Sequence, residues 1–177
     1  MSRSATTEKS GMLNNWGKLR EARVGVCLHF DASASDAGAV NWLTKDPRCK
    51  VSYHRLVTDD GQGVKVAPDD ARAWHMGTCR PSSAFRYKDA NSALYGLAFA
   101  AKSGDTLTYD QVKMAVRIVR VWFSDEDWPL SEVWRVTDHQ AEAWPRGRKV
   151  DIGSKLLYLG KPFTVERFRD FLTSPKW

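Results

Sequence analysis

A single α/β domain with a mixed central β-sheet flanked by helices is the fold class that this sequence predicts. Three observations carry the expectation. Short alternating or apolar runs recur between stretches of helical spacing, as they do where helices pack on a sheet. The chain has 177 residues, which is most simply one domain with a sizeable core. No internal repeat or low-complexity linker divides it, so one body over 21–177 is expected after a polar, weakly patterned and flexible segment, 1–20.

Taken in order, Val24-Gly25-Val26-Cys27-Leu28-His29-Phe30 reads as the first strand. Alternation puts Val24, Val26 and Leu28 on one face and Gly25, Cys27 and His29 on the other. Ser33 or Ser35 caps a short helix over 36–45 that carries Val40, Trp42 and Leu43 and stops before Pro47. A second strand is expected over 50–57, then a turn at Asp59-Asp60-Gly61 and a short strand through Val64 and Val66. Tyr53 and His54 are neighbours on that second strand, so only one of them can face a given site.

Residues 68–90 read as a long irregular loop, and 94–101 as a central strand. Thr108-Tyr109-Asp110-Gln111 has the form of a capping box. Val112, Ala115, Val116, Val119, Trp122 and Phe123 follow at helical spacing. Residues 134–136 form a brief strand or turn, and Thr164 starts a final helix with Val165, Phe168 and Leu172 on one side.

Composition narrows the functional classes. Hydrophobic residues make up 42% and charged residues 27%, as in ordinary globular domains. The formal charge of +6 suits an anionic partner such as nucleic acid or an acidic wall polymer. The basic residues are scattered, however, and form no run of five or six, so nucleic-acid binding is not expected. Cys27, Cys49 and Cys79 are an odd set without a CxxC pair, which suggests reduced thiols in a cytosolic setting rather than a disulfide framework. No apolar stretch reaches the length of a membrane span, and residues 1–10 are not expected to act as a secretory signal. Of the eight tryptophans, most are expected in the core and some along a groove.

The richest chemistry lies in Thr137-Asp138-His139-Gln140 and in Trp144-Pro145-Arg146-Gly147-Arg148-Lys149-Val150-Asp151-Ile152-Gly153. Imidazole and carboxylate are good zinc donors, and a catalytic zinc uses three protein ligands with one open position. Lys149 and Asp151 are two apart, so in an extended segment their side chains leave on the same side. That would set an ammonium beside a metal-bound carboxylate. The chain has four histidines, His29, His54, His75 and His139. Each alone reads more readily as structural, but with Lys149 and Asp151 they point as a set to zinc.

The order of these pieces carries a resemblance. His29 ends a strand, Val51-Ser52-Tyr53-His54 precedes an Asp-Gly turn, and Ala73-Trp74-His75-Met76-Gly77 follows. Asn91-Ser92 with Gly96-Leu97 comes next, and His139 with Gly147-Arg148-Lys149-Val150-Asp151-Ile152-Gly153 closes the series. Over about residues 22–155 the chain resembles the zinc-dependent N-acetylmuramoyl-L-alanine amidase family (type 2), in style nearest the amidase-type phage lysozymes, or endolysins. By this resemblance His29, His139 and Asp151 would hold Zn2+, while Lys149 and Tyr53 would be catalytic. His75 would contact substrate or stabilise its loop, Trp74 and Asn91 would contact substrate, and Trp144, Phe85 and Tyr87 are candidate apolar walls. Three departures stand out. Ala98 occupies a place where the family often has an acid, which shifts weight onto Tyr53. Ile152 replaces a usual proline, and the interval from His139 to Lys149 is longer than in the recycling enzymes.

The resemblance implies zinc-dependent hydrolysis of the amide between N-acetylmuramic acid and L-alanine in peptidoglycan. The expected protein is a monomer made in the cytoplasm of a bacterial host, acting on the wall after release. Two alternatives remain: a cytosolic muropeptide-recycling amidase, and a peptidoglycan-binding protein without catalysis.

Overall fold

The computed structural model describes residues 15–80 and 85–177. At its centre lies a five-stranded mixed sheet built from β2 (Gly25–Phe30), β3 (Arg55–Val57), β4 (Gly63–Lys65), β6 (Leu94–Phe99) and β7 (Val136–Asp138). A separate short pair joins β1 (Trp16–Lys18) to β5 (Ala71–Ala73). The central order is β4-β3-β6-β2-β7. β3, β6, β2 and β7 run parallel, and β4 returns antiparallel at one edge. The expected α/β class and mixed sheet are those observed. Parallel strands need covered faces, and β2 and β6 are buried along their whole length.

The short helix α2 (Ala90–Ala93) leads into β6, and α3 (Tyr109–Asp125) covers one face. Its capping box is complete: Thr108 Oγ1 accepts from the Gln111 N–H, and Gln111 Oε1 accepts from the Thr108 N–H. Such a cap stabilises a helix start by about 1 kcal/mol. Val112, Ala115, Val116, Val119, Trp122 and Phe123 turn inward. They pack on Val26, Leu28, Leu97 and Phe99 together with Phe168 and Leu172 of α5 (Val165–Thr173). Full burial of each large apolar side chain contributes about 1.5–3 kcal/mol, so this face is the main stabilising layer. On the other face α1 (Asp36–Lys45), capped by Ser35, sets Ala39 and Leu43 against Tyr53, Leu56 and Ala98.

The structure differs from expectation in several places. The second strand begins at Arg55 rather than at residue 50, because 50–53 bends toward neighbouring segments. Asn15 Nδ2 donates to the carbonyls of Cys49 and Val51, and the Ser52 N–H donates to Trp74 O. The loop over 68–90 contains β5, whose three residues are too few to show a period. Of the segment expected to be a flexible lead-in, residues 1–14 lie outside the described residues, and Trp16–Lys18 pairs with β5. His139 opens a short helix, α4 (His139–Glu142), instead of lying in a loop, and Asp138 caps it by accepting from the Ala141 N–H. A hairpin of β8 (Leu156–Tyr158) and β9 (Lys161–Phe163) precedes α5. Its turn has positive φ at Leu159 and Gly160, the geometry of a type I′ turn.

Trp122 alone of the eight tryptophans is buried, while Trp42, Trp134 and Trp144 are exposed. The expectation that most are core is therefore corrected. All three cysteines are free thiols. Among the described residues, no helix is long and apolar enough to cross a membrane.

Candidate metal centre

In open sheets with parallel strands, sites form beyond the carboxyl ends of the strands. His29 is the penultimate residue of β2, and His139 follows directly after β7, its neighbour in the sheet. The third group, Asp151, arrives on the loop after α4. His29 Nδ1 and His139 Nδ1 each lie 3.0 Å from Asp151 Oδ2 and 3.2 Å from one another. All three residues are buried.

The proton positions follow from the outer contacts of the two rings. His139 Nε2 lies 2.8 Å from Met76 O and must donate to it, so in the neutral ring Nδ1 keeps its lone pair. His75 Nε2 lies 3.1 Å from Leu94 O and donates in the same way. This leaves His75 Nδ1 as an acceptor for His29 Nε2 at 3.0 Å. His29 then also presents a bare Nδ1. Burial lowers the His29 pKa from 6.5 to about 4 despite the nearby carboxylate, so the ring is neutral at ordinary pH. Two imidazole lone pairs and a carboxylate oxygen thus face one another. Such a cluster of acceptors suits a cation.

A second group of donors, Cys27, His29 and His75, shares His29 with the first; in each group the donor atoms lie within 4.8 Å of one another. Its chemistry is less suited to an ion. Burial and three neighbouring carboxylates push the Cys27 thiol up, whereas a thiol ligand must lose its proton. The facing nitrogens of His29 and His75 are also already joined by one hydrogen bond.

The expected catalytic residues fall close by. The Tyr53 ring lies 5.1 Å from that of His29, while His54, next in the chain, packs against His75 and Tyr95. Burial and the Asp151 charge push the phenol pKa up, so Tyr53 stays a neutral O–H. Lys149 is half-buried, and its charge is one of the influences that lower the His29 pKa.

The expected substrate contacts are placed elsewhere. His75 is buried behind His29, with both ring nitrogens taken within the protein. Asn91 Oδ1 accepts from the backbone N–H groups of His75 and Met76 at 2.9 Å each, which makes it a brace for that segment. Trp74 is half-buried, with the Arg72 guanidinium 4.0 Å above its ring. Trp144 and Val150 are the exposed apolar residues on the loop that carries Lys149 and Asp151. Ala98 is the register partner of His29, so no acid stands beside His29 on β6.

Two contributors escape sequence reasoning. Arg23 is buried, donates to the carbonyls of Ser92, Leu94, Asp69 and Ala71, and touches His54. Gly96 supplies space: a Cβ there would stand 2.8 Å from His75 Cγ. Gly96 belongs to the resemblance but its role does not show there, and no local pattern marks Arg23, because every partner is distant in the chain. The result is a row of all four histidines. Ring centroids are 4.7 Å apart from His139 to His29, 5.1 Å from His29 to His75 and 5.9 Å from His75 to His54.

Comparison with known proteins bears on the fold and the family. Three solved structures share the fold. A selenomethionine derivative of AmpD aligns with 97% of this chain and 97% of its own, at 20% identity and a TM-score of 0.70. AmpDh3 from Pseudomonas aeruginosa, solved with an anhydromuramic pentapeptide, aligns over 88% of this chain and 63% of its own, at 19% identity and a TM-score of 0.61. The endolysin N-acetylmuramoyl-L-alanine amidase LysCS from Clostridium intestinale aligns over 86% and 92%, at 12% identity and a TM-score of 0.59. A search of curated protein sequences gave no match. The model of the family described as N-acetylmuramoyl-L-alanine amidase matches residues 21–154. The donor cluster and nearly the whole sheet fall within that match, and the chain belongs to the N-acetylmuramoyl-L-alanine amidase family, an enzyme of that class.

Proposed function

We propose that this protein hydrolyses the amide between N-acetylmuramic acid and L-alanine in peptidoglycan, with Zn2+ held by His29 Nδ1, His139 Nδ1 and Asp151 Oδ2. The convergence of those three acceptor atoms carries the proposal. Tetrahedral zinc with bonds of about 2.0–2.1 Å sets its ligand atoms about 3.3 Å apart, close to the 3.0–3.2 Å separations found here. Zinc bound at such a site supplies Lewis acidity toward the carbonyl and makes water a competent nucleophile near neutral pH.

The chain's own residues do the rest. His29 and His139 keep their Nε2 protons on fixed acceptors, so their open nitrogens do not reorient. Lys149 sets a positive charge near His29, where negative charge develops on the carbonyl oxygen as water adds. Tyr53, a neutral donor at ordinary pH, supplies an O–H hydrogen bond to that oxygen, while the proton given up by the attacking water passes to the departing amine as the C–N bond breaks. Trp144 and Val150 offer apolar surface to sugar or peptide.

We read the substrate as wall polymer and the protein as a monomeric endolysin that is made in the bacterial cytoplasm and acts once the membrane is breached. The net charge of +6 suits an anionic wall, and LysCS shares the fold. A second reading, cleavage of soluble muropeptides, is favoured by the pentapeptide bound to AmpDh3. Mass spectrometry of intact peptidoglycan and of soluble muropeptides, each digested with and without a chelator, separates these readings. Stem peptides with a free L-alanine amine from polymer, lost with chelator, are the expected result. Release from fragments alone would favour the second reading. Wall binding with no product would leave a binding module in place of an enzyme.

A further inference from the structure

Both histidines of the triad face a carboxylate, and a carboxylate attracts the imidazole proton. Left to itself, a neutral His29 would be drawn to the tautomer that carries hydrogen on Nδ1 and donates to Asp151 Oδ2 at 3.0 Å. That tautomer puts a hydrogen where an ion would bind. Something must hold the proton on the far side of the ring. His139 has Met76 O for this purpose. Among the described residues, the acceptor facing His29 Nε2 is not a carbonyl but another histidine.

We infer that His75 is a positioning residue: its Nδ1 takes the Nε2 proton of His29 and thereby keeps His29 Nδ1 open toward Asp151 and His139. His75 can accept only because its own proton is committed to Leu94 O, 3.1 Å away. Its ring stands edge-on to His29 at 87°, which aims the Nδ1 lone pair at the His29 N–H. Asn91 fixes the backbone of His75 and Met76 with one oxygen, and so sets the acceptors of both ligand histidines together. The ring lies against Gly96, where a side chain would displace it. The order Leu94 O, His75, His29, triad is a relay of proton positions rather than of charge. Orientation of a ligand's second ring nitrogen is a general determinant of metal affinity, with losses of roughly 10–100-fold when the partner is removed.

The inference rests on His29 being a metal ligand, as proposed above, but it is testable without metal. In metal-free protein labelled with 15N at histidine, imidazole spectra should place the His29 proton on Nε2. His75→Phe keeps a ring of similar size without an acceptor, and should move that proton to Nδ1. It should also weaken zinc binding, measured by chelator competition, by roughly 10–100-fold. His75→Asn puts Oδ1 near the position of the lost Nδ1, and should restore the Nε2 proton and most of the affinity. A wild-type His29 protonated on Nδ1, or a folded His75→Phe protein with unchanged zinc affinity, would overturn the inference. If His75→Phe does not fold, the wild-type tautomer decides. Wild-type protein that binds no zinc while His29 carries its proton on Nε2 would overturn the metal reading instead.

Discussion

His139 and His54 are the same residue type at opposite ends of one row, and the fold treats them in opposite ways. Both ring nitrogens of His54 are closed within the chain. The Gly96 N–H donates to Nδ1 at 2.8 Å, so Nε2 carries the proton and gives it to Ala71 O at 3.1 Å. A buried arginine stands beside it. His139 is closed on one side only, and its other nitrogen is set against another histidine and a carboxylate. Burial alone therefore does not separate structural from chemical histidines. The useful distinction is whether the fold leaves a lone pair without a hydrogen to accept.

That contrast can be broken experimentally. The largest effect is expected at the open end. Asp151→Ala or His139→Ala should abolish zinc retention and reduce amide hydrolysis to background while the fold persists. Full zinc retention by either variant, measured by elemental analysis of the purified protein, would move the metal to the Cys27 group. Lys149→Ala should come next, with kcat lowered roughly 100–1000-fold and zinc affinity unchanged. A change confined to KM would reassign Lys149 to substrate binding.

At the closed end the expected loss is stability. His54→Leu strands the Gly96 N–H and weakens the closure at Ala71 O, which should cost about 2–4 kcal/mol in urea unfolding. Zinc affinity of the folded variant should stay at the wild-type value. If affinity dropped with the fold intact, the two ends would not be distinct.

The smallest effect is a pH dependence. Burial first, and Arg23 next, hold the His54 pKa well below its ordinary 6.5. At His75 burial and the neighbouring histidines act in the same direction. Below about pH 6.5 the unfolded chain takes up protons that the folded chain refuses, so stability rises with pH in that window. The full contribution is present above pH 6.5 and is lost progressively as pH falls. Urea midpoints of chelator-treated protein between pH 8 and 5 should decline on the acid side, and a flat profile would remove the buried neutral histidines from the account.

Much of the frame can be read from residues alone, for reasons of length. The strand through His29 and the helix through Trp122 each run long enough to display a period, and Thr108 and Thr164 announce their helices chemically. Three-residue strands such as Ala71–Ala73 display none. The donor set was legible only through the family resemblance, which rests on scarce residue types: four histidines, and one Lys-x-Asp in a basic loop. The place of His75 was not. Its partners are His29, 46 residues before it, and Leu94, 19 residues after it. Whether an imidazole in an irregular loop faces substrate or faces another imidazole is settled by chain crossing, not by neighbours. Arg23 illustrates the same limit, since four backbone carbonyls leave no trace in a sequence.

Gly96 bears on how such a site tolerates change. It contributes no functional group, and its α-carbon is flanked by the backbone of β2 and the ring of His75. A single methyl group added there would wedge the imidazole away from the sheet and spread the misfit along three further rings. Chemical reactivity at the mouth of the enzyme is in this sense hostage to clearance at its middle. A survey of variants ranked by loss of hydrolysis would place this position beside His29, His139 and Asp151, although it carries no side chain.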